Sequence, residues 1–190
     1  MASLMERAIG AARLDAATYE EVEADPSALG QAMAVVALAS VSTGIGASLA
    51  SGGEGVNLVF GVLLNFVGWF AWALVAYLVG TRILPTPETQ ADLGQMLRTT
   101  GFSAAPGILG IVGAVPILGG LVLLVLRLWQ LASMVIAVRQ ALDYTSTGRA
   151  VGVCVIGFVV YLLISLLLAG LVMTSVMAVG GAPAPAATMP

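Results

Sequence analysis

Few side chains in this sequence could do chemistry away from water, and Arg127 stands first among them. Gln130 follows one turn later on the same helical face, inside an otherwise apolar run. Arginine near the middle of a bilayer costs on the order of 2.5–3.5 kcal/mol on insertion scales, so its presence there needs a reason. One reason is a ligand, lipid headgroup or ion held inside a helical bundle. The structural alternative is a side chain that snorkels to the interface, or one that pairs with carbonyls freed by nearby prolines. Asn65, in a second apolar run, completes the candidate intramembrane polar site, and interhelical hydrogen bonding is its simplest role.

What the chain lacks narrows the chemistry further. It has no histidine and a single cysteine, Cys154, which reads as a small apolar residue in an apolar run. Ser–His and Cys–His nucleophile pairs, and the usual zinc sites, are therefore ruled out. The apolar runs contain no Asp or Glu, which removes intramembrane carboxylate chemistry. Neither a P-loop nor a G-x-G-x-x-G motif occurs. The expectation is a protein that is not an enzyme, with no catalytic residue, no cofactor and no metal.

The elements that must position these residues follow from hydropathy. With 59% hydrophobic and 9% charged residues, this is a membrane-protein composition. Apolar stretches occur at residues 30–50, 56–79, 103–118, 119–138 and 151–179. A helix needs about 20 apolar residues to cross a bilayer, so these are read as five spans, the third short and proline-bearing. Of seven basic residues, all arginine, six fall in alternate loops: Arg7, Arg13, Arg82, Arg98, Arg139 and Arg149. The positive-inside rule then puts the N-terminus in the cytoplasm and the C-terminus outside. The expected fold class is all-α, a polytopic membrane protein with five transmembrane helices and short interfacial amphipathic helices.

Residues 1–29 form a cytoplasmic segment, and residues 30–179 the membrane domain. Residues 180–190, rich in Pro and Ala, read as a disordered tail. Within residues 1–30, Glu6, Asp15, Glu20, Glu21, Glu23 and Asp25 outweigh Arg7 and Arg13. With no basic patch, nucleic acid is not an expected partner. The first apolar run starts behind this acidic segment, which is not the order of a secretory signal.

Two short pieces outside the spans look helical. Residues 3–14 place Leu4, Met5, Ala8, Ile9 and Ala12 on one face, suiting either the membrane interface or the inner face of the bundle. Thr86-Pro87-Glu88 predicts a cap for a second amphipathic helix along the membrane, with Leu93, Met96 and Leu97 on one side. Gly107, Gly110 and Gly113 recur every three residues, a stripe that lets helices approach closely within the chain or between copies. The tryptophans read as interface anchors.

Two motifs carry a family resemblance. Gly101-Phe102-Ser103-Ala104-Ala105-Pro106 resembles the Gly-Tyr-Ser-x-x-Pro element of the Yip domain family, and the segment ending Asp25-Pro26-Ser27-Ala28 resembles that of its bacterial members. The five-span layout and Val138-Arg139-Gln140-Ala141-Leu142 agree. The resemblance implies an integral membrane protein working through partners or lipids. Eukaryotic relatives bind Rab-type GTPases through an N-terminal motif that is replaced here, so GTPase binding is not carried over. The functional expectation is a non-enzymatic adaptor or membrane organiser of a bacterial inner membrane, contacting lipids, a membrane-protein partner or further copies of itself. The alternative is a small transporter or channel subunit built around Arg127 and Gln130.

Overall fold

Ser3 and Asp15 start the first two helices of the computed structural model, which describes residues 2–50, 58–115 and 119–180. Helix α1 (Leu4–Ala12) opens with a capping box: Glu6 N–H donates to the Ser3 hydroxyl, and Ser3 N–H donates back to the Glu6 carboxylate at 2.7 Å. Helix α2 (Ala16–Ala24) is capped by Asp15, which accepts from Ala17 N–H and the Thr18 hydroxyl. Between them Leu14 takes a left-handed backbone with φ 63°, and the chain folds back as a hairpin. Asp25 then accepts from both the N–H and the hydroxyl of Ser27, forming the turn that launches α3 (Ala28–Ala50).

Helix α4 (Leu58–Leu78) continues through one π-helical turn, Val79–Ile83. Helix α5 (Leu93–Phe102) leads into a ten-residue 3-10 helix, Ala105–Ala114. Helices α6 (Gly119–Ala141) and α7 (Thr147–Gly180) complete the chain. The protein is a polytopic helical membrane protein. Among the described residues, four helices are long and apolar enough to cross a bilayer: α3, α4 with its π turn, α6 and α7.

The third expected span differs. A 3-10 helix rises about 2.0 Å per residue, so ten residues cover about 20 Å, short of the roughly 30 Å hydrocarbon core. The segment nevertheless runs parallel to α3. Gly101 lies against Ala32, Gly107 against Ala39 and Gly110 against Thr43. Helix α6 returns antiparallel, with Gln130 beside Gly107. The glycine repeat explains the geometry, because a helix with three residues per turn stacks every third residue on one face. That face meets α3 at Gly107 and Gly110 and Leu123 of α6 at Gly113. The stripe is thus used within the chain. Ser42 secures the seam, donating to Ile108 O at 2.6 Å and accepting from Ile111 N–H at 3.0 Å.

Helix α5 also corrects the sequence reading. Its cap is Asp92, in a capping box with Gln95, whereas Thr86 closes a local turn with Thr89. The helix is embedded among its neighbours rather than laid along a membrane surface, and Met96, Arg98 and Phe102 are buried. Helix α1 packs on the bundle through Leu4, Ala8, Ala11 and Ala12, leaving Met5 and Ile9 exposed.

Core packing is concentrated at the arginine-rich end. One cluster joins Ala73, Ala76, Met96, Leu142 and Val153; a second joins Tyr19, Val22, Val35, Phe102 and Ala137. Towards the other end α4, α6 and α7 carry exposed residues, among them Leu63 and Leu64, Leu123 to Val125, and Leu162 to Ile164, while Leu126 is buried. The densest packing is thus at the arginine-rich end, and the outer parts of these helices present an apolar surface. The expected loop at residues 51–55, the turn at residues 116–118 and the tail after Gly180 lie outside the described residues.

Candidate functional site

A cavity of about 590 Å³ lies between α3, α4, α6 and α7. Arg127, Gln130 and Asn65, the three residues singled out from the sequence, all line it. Arg127 is exposed, and its guanidinium donates to Gln130 Oε1 at 3.4 Å, a long and weak contact. Asn65 does not reach another helix: its amide donates to Gly61 O in its own helix at 3.0 Å. Ser40, Thr43 and Tyr161 add hydroxyls, and no carboxylate lines the cavity among the described residues.

The cavity floor uses residues whose role the sequence did not reveal. Trp69 donates to the Thr100 hydroxyl at 3.2 Å, and the Trp72 indole N–H points at the Met134 sulfur at 3.1 Å. Trp72 and Tyr161 meet edge to face, joining α4 to α7. Trp129 donates to Ala12 O at 2.7 Å, so it fixes α1 rather than anchoring an interface. Tryptophan at helical spacing reads as a membrane belt; only the neighbouring polar atoms distinguish these roles.

The motif residues are structural joints towards the arginine-rich end, and two of them, Ser103 and Ala104, also line the cavity. A Cβ on Gly101 would stand 2.7 Å from that of Ala32, and Phe102, Ser103 and Pro106 are buried. The Ser103 hydroxyl donates to Thr100 O at 2.7 Å. Asp25 also accepts from Arg7, itself only 2% exposed, at 2.7 Å; Arg7 further pairs with Glu21 and donates to Gln31. A family model of the Yip1 domain matches residues 15–181. The chain belongs to the Yip1 domain family. No curated protein and no solved structure matches it. Helix α1 precedes the matched region, yet its Arg7 is bonded to the Asp25 turn of the Yip1 domain.

Electrostatics at this end are set by burial and by those bonds. The Ser27 hydroxyl, followed by Arg7, holds the Asp25 carboxyl down at about 2. Glu23 moves the other way, to about 7, because it is half-buried and faces Asp143, Glu20 and Asp92; Arg98 partly opposes the shift. Gln95 donates to Glu23 at 3.1 Å. Between pH 4.5, the ordinary value for Glu, and about 7, the folded protein retains a proton that the unfolded chain has released. This contribution to stability is therefore complete below the window and is lost as pH rises through it. Glu23→Gln is expected to flatten that slope in thermal unfolding of detergent-solubilised protein between pH 5 and 8. An unchanged slope would assign it to another group.

Proposed function

We propose that this Yip1-domain protein is a non-enzymatic membrane organiser, acting through lipid and protein contacts, with the α1–α2 end in the cytoplasm. The distribution of polar side chains carries this reading. At the arginine-rich end Glu20 pairs with Gln140, Glu21 and Asp25 with Arg7, and Glu23 with Gln95, so polar groups there hold helices together. Six arginines gathered at that end support its cytoplasmic placement. Glu20 and Glu21 remain exposed and offer an acidic rim to a protein partner. Crosslinking in native membranes, followed by gentle purification and mass spectrometry, is expected to recover a recurrent partner linked through residues 15–28. Partner recovery unaffected by neutralising Glu20 and Glu21 would sink the acidic rim.

Transport is the second reading, favoured by the cavity itself. Its floor is sealed by the Trp69–Thr100 and Trp72–Met134 contacts, so a continuous path requires them to open. Vesicle fluxes that are identical for wild type and Arg127→Leu would eliminate this reading.

A further inference from the structure

We infer that the cavity around Arg127 is a binding site for one anionic phospholipid, its phosphate held by the guanidinium and its acyl chains lying against the exposed apolar residues at the cavity rim. Three observations converge. First, Arg127 sits eight residues into α6, about 12 Å from its start at 1.5 Å per residue, well inside an apolar helix. Its described partner, Gln130, is neutral, and no described lining residue supplies a negative charge. A guanidinium in low dielectric without a counter-ion strongly favours an anion, and its planar fork suits a phosphate. Second, the surrounding donors match such a headgroup: the Gln130 and Asn65 amides and the Tyr161 hydroxyl line the same space.

Third, the rim selects the source of the phosphate. Leu58, Leu64 and Phe158 line the cavity and are exposed, and Leu63, Leu124 and Leu163 add exposed apolar surface on α4, α6 and α7. A soluble anion gains nothing from that surface. A lipid delivers its headgroup to Arg127 while its chains cover the exposed apolar area.

This inference rests on the organiser reading for its bilayer setting and makes the lipid contact specific. The test reads headgroup preference, whereas crosslinking reads protein partners, so either can fail alone. The full chain, purified in neutral detergent, is offered equal amounts of phosphatidylglycerol and phosphatidylcholine with identical acyl chains, and adducts are counted by native mass spectrometry. A single phosphatidylglycerol is expected to be retained about fivefold over phosphatidylcholine, the effect of about one arginine. Arg127→Gln should erase the preference, Arg127→Lys should keep part of it, and Arg149→Gln, at the opposite end, should leave it intact. Equal retention of both lipids by wild type overturns the proposal, as does a preference that survives in Arg127→Gln. Release of phosphatidylglycerol by millimolar inorganic phosphate would identify a soluble-anion site and overturn the lipid assignment. Should Arg127→Gln fail to fold, the wild-type preference and the Arg127→Lys comparison decide.

Discussion

Gly110→Leu is expected to destabilise the protein by about 3 kcal/mol, enough to deplete folded material from membranes. A Cβ at Gly110 would stand 2.5 Å from the Thr43 hydroxyl oxygen and 2.9 Å from the Thr43 Cα. The second contact is decisive, because Cα belongs to the backbone of α3 and cannot rotate away. The 3-10 helix would have to move off α3, breaking the Ser42 bonds to Ile108 and Ile111. Its remaining neighbours on that face, Gln130 beside Gly107 and Leu123 against Gly113, cannot compensate. Gly30→Ala supplies the control: nothing lies within 4 Å of a Cβ there, so only the small helix-propensity gain remains. Thermal unfolding in detergent reads both. A Gly110→Leu protein as stable as wild type would mean that the seam between α3 and the 3-10 helix does not hold the bundle.

Arg98→Ala ranks second, with an expected loss of about 3 kcal/mol from two carbonyls left bare and a helix end left without its cation. Arg98 is 8% exposed. Its Nε donates to Val22 O at 3.0 Å, and its guanidinium also bonds Glu23 O, the carbonyls with which α2 ends. A cation at a helix C-terminus is favoured by the dipole, and here it also binds α2 to α5. Lysine should recover only part of the loss, since one ammonium cannot reproduce the fork that reaches both carbonyls. The same substitution removes the positive charge that restrains Glu23, so its titration should move further up. Loss of stability without that upward movement would mean Arg98 acts by packing alone.

The fold was legible wherever one residue type dominated its surroundings. Apolar length located α3, α4, α6 and α7, and the glycine repeat announced a close approach. It did not announce a 3-10 helix, because whether three or 3.6 residues make a turn depends on the neighbour the glycines meet. Thr86-Pro87 lost the cap to Asp92 because Asp92 and Gln95 satisfy two backbone donors reciprocally, while Thr86 is engaged by Thr89. Buried Arg7 and Arg98 were invisible for a different reason. Their partners lie up to 76 residues away, and a charge on a short helix reads as solvated until those partners are in place. For the cavity, Arg127 and Gln130 one turn apart were readable. The floor of Trp69, Trp72 and Met134 required three helices to be assembled first.

The α1–α2 hairpin sets a timetable for synthesis. Tyr19 finds the Ser133 hydroxyl, 2.6 Å away in the finished protein, only after 114 further residues have been made. At about 5–20 residues per second, that is an interval of roughly 6–23 s. Through that interval the hairpin has its own caps, the nearby Arg7–Asp25 and Arg7–Glu21 pairs and, once α5 is made, the Arg98 bonds to α2, but not α6. Docking of the α1–α2 hairpin is therefore completed only when α6 arrives. The Tyr19–Ser133 and Trp129–Ala12 contacts form only once α6 has been threaded, so they act as a latch closed near the end of assembly.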